Sequence, residues 1–509
     1  MTGVLRARAL VAALCAVAGL TGCVHQMSAT RIAPGTSPSP ATPWTPPPEM
    51  AATPAPSSTP GEAAASGAAA ATPAIPPDLL ATASSWTLID LLDLALRNAP
   101  QTRITWARAR SAAATLGAGK GAYYPSVVGQ LNSARTRGTA VGGQFTYVST
   151  SFDPFLEINW LLLDFGGRKA TRDSAREALI AADWSHNAAI QDIALQVEET
   201  YYGYLDARAL EKAERAAVDE AAASLDAAER RRAGGVSTIA DVLQAKTGLS
   251  QARLVLQTIE GRIQAIHGSL ATAIGLPAYT PFDVSIPEAE VPEEEAAVRV
   301  ESVIKDAEAH RPELAAARAS LEKAAADVRA RQALARPTVS FSTNAGRIYY
   351  GSFAAGQDTY TSSLLLTIPI FNGLTYQYNV QKAKADRDEA QARLETLHQQ
   401  VTLDVWTSYY DHQTARQQVQ TSRDLLESAQ QSYEVVSARY KAGVGSILDL
   451  LTAQSALERA RALETQARTA WFVSLSRLAH ATGSLWQPAA GAAPATDGAA
   501  PATSEDPAQ

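Results

Sequence analysis

Two stretches without proline constrain this chain more than any other feature. None occurs between Pro154 and Pro277, and none between Pro369 and Pro488. Proline lacks an amide donor and clashes with the preceding helical turn, so it interrupts helix interiors. Spans this long leave room for helices far beyond the usual three or four turns. The remaining prolines crowd the ends: 13 of the 27 lie before residue 80 and four lie after 487. Residues 23–83 are rich in Pro, Ala, Thr and Ser and read as an extended linker that buries no core. Residues 487–509 read as a tail of the same kind.

The body between is a tandem repeat. Pro125-Ser126-Val127 matches Pro337-Thr338-Val339, and Asp164-Phe165-Gly166-Gly167 matches Ile370-Phe371-Asn372-Gly373. Tyr201-Tyr202 matches Tyr409-Tyr410, Gly235-Val236 matches Gly443-Val444, Asp241 matches Asp449, and Gly275 matches Gly483. These offsets run from 206 to 212 residues, too long for a solenoid unit and suited to a duplicated half-protein. The halves cover 84–283 and 298–486, joined by a Pro- and Glu-rich connector at 284–297.

Each half follows one plan. A helical stretch (87–122, 298–335) leads into residues that alternate with period 2: Leu156, Ile158, Trp160 and Leu162 in the first half, Val339, Phe341 and Thr343, then Leu364, Leu366 and Ile368, in the second. Such alternation gives a strand one apolar and one polar face. Gly-, Ser- and Thr-rich turns at 136–151 and 351–363 complete β-hairpins at about 125–165 and 337–371, with strands of about ten residues, enough to cross a membrane in a tilted barrel. A long helix follows each hairpin, from Arg168 to Ala233 and from Leu374 to Lys441, ~100 Å each at 1.5 Å per residue. Both end at glycine turns, after which a second helix returns. Leu249, Ala252, Leu256, Ile259, Ile263, Ile266 and Leu270 form a coiled-coil seam, as do Leu426, Ala429, Tyr433, Val436 and Tyr440.

The N-terminus reads as an export signal over residues 1–22: Arg6 and Arg8, an apolar run from Ala9 to Leu20, then small residues. The run is too short for a spanning helix of ~20 residues. Leu20-Thr21-Gly22-Cys23 resembles a bacterial lipobox, which implies cleavage before Cys23 and acylation of its thiol and new amino group. Cys15 is the other cysteine and lies in the discarded segment, so the chain has no disulfide framework.

A net charge of -7 without a basic stripe argues against nucleic-acid binding. The seven histidines show no metal-ligand spacing, and Gly119-Lys120-Gly121 lacks the rest of a phosphate loop. No nucleophile, metal or paired-carboxylate constellation supports an enzyme, and no cofactor is expected beyond lipid on Cys23. A lipid-tethered coiled-coil scaffold would explain the helices but not the paired strands. Four strands cannot close, and open sheet edges are not tolerated in lipid. Two chains would give a plugged eight-stranded barrel and three would give twelve strands with a lumen, so a transport role favours a trimer.

The chain resembles the TolC-like outer-membrane efflux family, lipid-anchored branch, over about 87–485. The resemblance rests on Thr87-Leu88 with Ala95-Leu96-Arg97-Asn98-Ala99-Pro100, on Pro369-Ile370-Phe371-Asn372-Gly373, and on Arg439-Tyr440-Lys441-Ala442-Gly443 followed by Ser446-Ile447-Leu448-Asp449-Leu450-Leu451. It implies a mainly α fold with β: coiled-coil helical hairpins in an α-barrel, continuous with a twelve-stranded barrel built by a homotrimer. It implies a place in the outer membrane, a periplasmic membrane-fusion adaptor and an inner-membrane pump of the RND type. The cargo would be small molecules or drugs; the alternative is the outer-membrane duct of a type I protein secretion system. In the family the glycine turns form the periplasmic tip where the adaptor docks, here Gly235, Val236, Gly443 and Val444. Asp449 matches an acidic residue of the entrance constriction, and Asp241 and Tyr440 match residues that link coiled coils in the closed state. The same acids also suit helix N-capping after a glycine turn. Thr452 stands where the family has a second acid, and Gly445 where it has an arginine.

Overall fold

The computed structural model describes residues 36–46, 86–140, 142–285, 299–351 and 356–485. The export segment 1–22, Cys23, most of the linker and connector, and the 487–509 tail lie outside the described residues. Described helices and strands run α1 (Leu88–Asn98), α2 (Pro100–Gly121), β1 (Ser126–Ala140), β2 (Phe145–Leu163), α3 (Gly167–Ala233) and α4 (Ile239–Ala273). The second half repeats the order with α5 (Val300–His310), α6 (Pro312–Ala333), β3 (Thr338–Tyr350), β4 (Gly356–Thr367), α7 (Thr375–Lys441) and α8 (Ile447–Ala481). The duplication reaches local detail. Pro100 and Pro312 each open a helix, at the position where the missing amide donor costs nothing. Helices α3 and α7 have 67 residues each, and α4 and α8 have 35 each.

The chain divides into two compact units. The first comprises residues 1–193, 258–290 and 311–404 and holds the sheet. Its strands are antiparallel in the order β1-β2-β3-β4, so β1 and β4 each have one paired edge and one open edge. They are longer than the expected ten residues, at 15, 19, 13 and 12. The Gly/Ser/Thr-rich segment 136–151 is mostly strand: pairing runs from Ser126↔Asn159 to Ala140↔Phe145. Backbone pairing needs no apolar side chain, so composition underestimates strand length there. Register places Val127, Leu131, Leu156, Ile158, Phe341 and Leu364 on one face. Val127, Leu131 and Leu364 are more than 60% exposed, an apolar surface that nothing in the described chain covers. The opposite face is polar: Gln130 Nε2 donates to Glu157 at 2.6 Å, and the Ser342 and Ser363 hydroxyls lie 2.7 Å apart.

Arg168 ties the sheet to the helices. Its guanidinium donates to the carbonyls of Leu161 (2.6 Å), Leu162 (3.0 Å) and Ala122 (3.3 Å), pairs with Asp164 at 3.5 Å and lies 4.9 Å from the Tyr123 ring centre. The chain turns from strand to helix there through Phe165 (φ 50) and Gly166 (φ 100), and at the repeated corner through Gly373 and Leu374, both at φ 66. Left-handed backbone at phenylalanine and leucine is strained, so both corners are held by their surroundings. Arg336 contributes at the first, donating to the Phe165 carbonyl at 2.7 Å.

Part of the linker is not an extended tether. Residues 36–46 lie against α2 and α3, with Trp44 and Ser37 buried. Trp44 exchanges two backbone hydrogen bonds with the Asn187 amide, at 2.6 and 2.7 Å. One buried aromatic residue and a few hydrogen bonds from α2 and α3 dock a segment whose composition could build no core of its own.

The second unit comprises residues 194–257, 291–310 and 405–509. Its interior is a series of alanine-rich layers: Ala221 with Leu249 and Ala252, Ala228 with Val242 and Ala245, and Ala429 with Leu457 and Ala460. Small residues let long helices approach closely, and ion pairs such as Arg461–Glu220 (3.2 Å) and Arg477–Glu199 (2.7 Å) cross between them. The seam residues are buried or half-buried in both return and outgoing helices.

A tight spot in the sheet offers a test. A Cβ on Gly346 would meet the Phe155 Cβ and the Pro154 carbonyl oxygen at 2.5 Å. Gly346→Val must push β2 and β3 apart, at a cost of about 1–3 kcal/mol. Purified G346V is expected to lose compact, heat-modifiable migration on gels at a lower temperature than wild type.

Candidate functional site

The two glycine turns of the second unit are built alike. At the end of α3 the Val236 N–H donates to the Arg231 carbonyl (2.9 Å) and Gly235 N–H to that of Arg232 (2.9 Å). At the end of α7 Val444 donates to Arg439 (3.0 Å) and Gly443 to Tyr440 (3.0 Å). This is the Schellman pattern, which requires a left-handed residue after the helix; Gly235 has φ 75 and Gly443 has φ 82. Val236 and Val444 follow, 68% and 69% exposed, so each turn presents an apolar side chain to solvent at its apex.

Capping boxes start both return helices. The Ser446 hydroxyl accepts from the Asp449 N–H at 3.1 Å while the Asp449 carboxylate accepts from the Ser446 N–H at 3.4 Å. In the first half the Asp241 carboxylate accepts from the Thr238 N–H at 2.8 Å and from the Ser237 hydroxyl at 2.7 Å. Those bonds hold the Asp241 carboxyl below the usual carboxylate range. Both acids therefore cap helices, with Asp449 still exposed. The Thr452 hydroxyl is spent on its own helix, donating to the Leu448 carbonyl at 2.8 Å.

The structure brings Tyr440 and Asp241 into one electrostatic neighbourhood but joins them through a residue that the sequence reading did not single out. Tyr440 is buried with Ile447 and Leu450, and burial pushes its hydroxyl up, against the pull of a nearby arginine. That arginine is Arg231. Its guanidinium lies 4.6 Å from the Tyr440 ring centre and donates to the Tyr440 carbonyl at 2.7 Å. Arg231 also helps hold the Asp241 carboxyl down. It sits in the run Arg230-Arg231-Arg232, where three like residues hide which one faces inward. Gly445 has its own reason: a Cβ there would lie 3.0 Å from the Tyr440 backbone nitrogen, so any larger residue must push the turn outward by a few tenths of an ångström.

Beside the turns runs a groove of 610 Å³, lined by Leu243, Thr247, Val255, Leu451, Gln454 and Glu458 among others. Burial, and next the neighbouring Glu214, pushes the Glu458 carboxyl up to about 7.

Two outcomes are expected. Arg231→Ala removes a charge-assisted hydrogen bond and a cation–π contact, which together contribute about 1–2 kcal/mol in a half-buried setting. Amide exchange at 228–236 and 438–446 should quicken roughly tenfold for that loss, while exchange in the strands stays as it was. Glu458 has a raised folded-state value, so its favourable contribution is complete below about 4.5 and lost as pH rises through about 7. Glu458→Gln, which cannot ionise, should therefore melt above wild type at pH 8, with the gap closing as pH falls towards 4.5.

The family model "Outer membrane efflux protein" matches residues 91–276 and 303–484, one segment for each half. Protein CyaE of Bordetella pertussis is 31% identical over 375 residues, covering 72% of this chain and 78% of that protein. The toluene efflux pump outer membrane protein TtgC of Pseudomonas putida is 25% identical over 429 residues, covering 82% and 88%. The crystal structure of the outer membrane protein VceC from Vibrio cholerae superposes with a TM-score of 0.68 at 22% identity, over 78% of this chain and 96% of that one. The repeated helical hairpins and four-stranded sheet are thus a TolC-like fold, and the chain belongs to the outer membrane efflux protein family.

Proposed function

We propose that three copies of this chain form the outer-membrane duct of a tripartite efflux system, receiving small molecules from an inner-membrane RND-type pump through a periplasmic adaptor. The observation that carries the reading is the sheet: four strands, two open edges and one uncovered apolar face. Open edges are not tolerated in lipid, and twelve strands close around a lumen where eight are filled by side chains. Helices of 67 residues are far longer than the ~30 Å hydrocarbon core and extend the duct on the periplasmic side. Toluene efflux by the relative TtgC supports small, apolar cargo.

In this reading lipid on Cys23 aids targeting while the barrel anchors. The exposed Val236 and Val444, on turns shaped by Gly235 and Gly443, meet the adaptor. Asp449 lines the entrance, with Thr452 adding no second charge, and a ring of three carboxylates gives a modest cation preference. Asp241 and Tyr440 hold the entrance narrow through Arg231.

The test combines recording and transport. Purified protein in planar bilayers should conduct with a cation preference, and Asp449→Asn should reduce both that preference and block by divalent cations. Mass spectrometry of the mature N-terminus should find acylated Cys23. Cells lacking the protein should accumulate apolar solvents or dyes. Absence of conductance would sink the duct, and loss of a secreted protein with unchanged solvent tolerance would replace efflux with type I secretion.

A further inference from the structure

Asp183 of α3 is fully buried, and neither carboxylate oxygen has a hydrogen-bond partner among the described residues. Leaving a charge in that state costs several kcal/mol, so such a group is kept neutral or its site is opened. On a helix, position 183 lies between 186 and 187 on one face. His186 and Asn187 are the residues that hold the 36–46 strap. The His186 Nδ1 lies 2.9 Å from the Thr105 hydroxyl of α2, and its Nε2 donates to the Thr42 carbonyl (3.3 Å). Asn187 holds the Trp44 backbone, the Trp44 and Trp184 rings meet edge to face at 5.3 Å, and Trp106 Nε1 of α2 donates to the Ser37 carbonyl at 3.0 Å. Strap and α2 thus both contact the helix face that carries His186 and Asn187, one turn from Asp183.

We propose that docking of the 36–46 strap is coupled to uptake of one proton at Asp183, so that the N-terminal segment grips the helices more tightly as pH falls from 8 towards 6.5. The strap itself contains no titratable residue. Helix α2 offers Arg110, drawn over the Trp106 ring at 4.7 Å, and α3 offers His186. Among the described residues no charge acts on the Asp183 carboxyl; burial alone pushes it up to about 8. Lifting the strap would admit water to the carboxyl and draw it down towards its ordinary 3.8. A group raised in the docked state favours docking below its undocked value and loses that contribution as pH rises through the docked one. Burial moves His186 the other way, below 6.5, so its opposing effect enters only under that pH. Between 6.5 and 8 Asp183 acts alone, and one linked proton changes the docking constant by about tenfold per pH unit.

The full-length protein in detergent serves for the test. Hydrogen exchange of the peptide spanning 36–46, corrected for its intrinsic pH dependence, reads strap opening, and a peptide within α8 serves as control. Wild-type protection should fall about tenfold from pH 6.5 to 7.5. Asp183→Asn, which is always neutral, should hold protection level across that range. His186→Gln should keep the wild-type slope there and extend it below pH 6.5. The proposal is overturned if wild-type protection is flat, if Asp183→Asn keeps the slope, or if His186→Gln abolishes it. The wild-type and His186→Gln results decide the matter even where Asp183→Asn does not fold. None of these results depends on whether the protein conducts or exports anything.

Discussion

Backbone groups at the open edges of β1 and β4 set the main demand on this structure. Four antiparallel strands satisfy one another internally and leave two rows of amide and carbonyl groups at the outside. In water such edges would be hydrated, but the apolar face formed by Val127, Leu131 and Leu364 belongs in lipid, where hydration is absent. Only further strands can meet both requirements, so the sheet is a fragment of something closed. The rest of the chain follows from that: long helices, an alanine-layered interior and duplicated turns serve a sheet that is incomplete by itself.

The Arg168 cluster shows how a change of secondary structure is held at such a boundary. One guanidinium collects two carbonyls at the end of β2 and that of Ala122 at the end of α2 while lying near the Tyr123 ring. Arginine suits the place because its five donors are fixed in one plane. The left-handed Phe165 and Leu374 mark the same corner in both halves. The strain recurs with the duplication, which argues that the bend itself is required and that glycine alone does not supply it.

Much of the fold was legible because its signals are long and repeated. Proline spacing bounded α3 and α7, and period-2 alternation located the strands. The strands ran further than expected because hairpin pairing between 136 and 150 rests on backbone bonds that composition does not register. The strap was missed since Trp44 is a single aromatic amid prolines, and its partner Asn187 lies 143 residues away. At the turns, the glycines and capping acids could be read from local spacing. Arg231 could not, because its contact with Tyr440 joins positions 209 residues apart and its neighbours are arginines too. Asp183 was invisible for a related reason: an acid on a long polar helix looks solvated until its burial is seen.

The two turns share a backbone plan and differ in side chains. The first carries Ser237 and a triple-arginine shoulder, whereas the second has bare backbone at Gly445, where the Tyr440 backbone leaves a Cβ only a tight fit. Duplication has thus produced two seats of equal shape and unequal chemistry on every copy. A partner presenting one repeated element to both would bind them with different strengths, and its first contact would select a single orientation. Were a partner to engage both turns, pseudosymmetry in the fold would become polarity in the assembly.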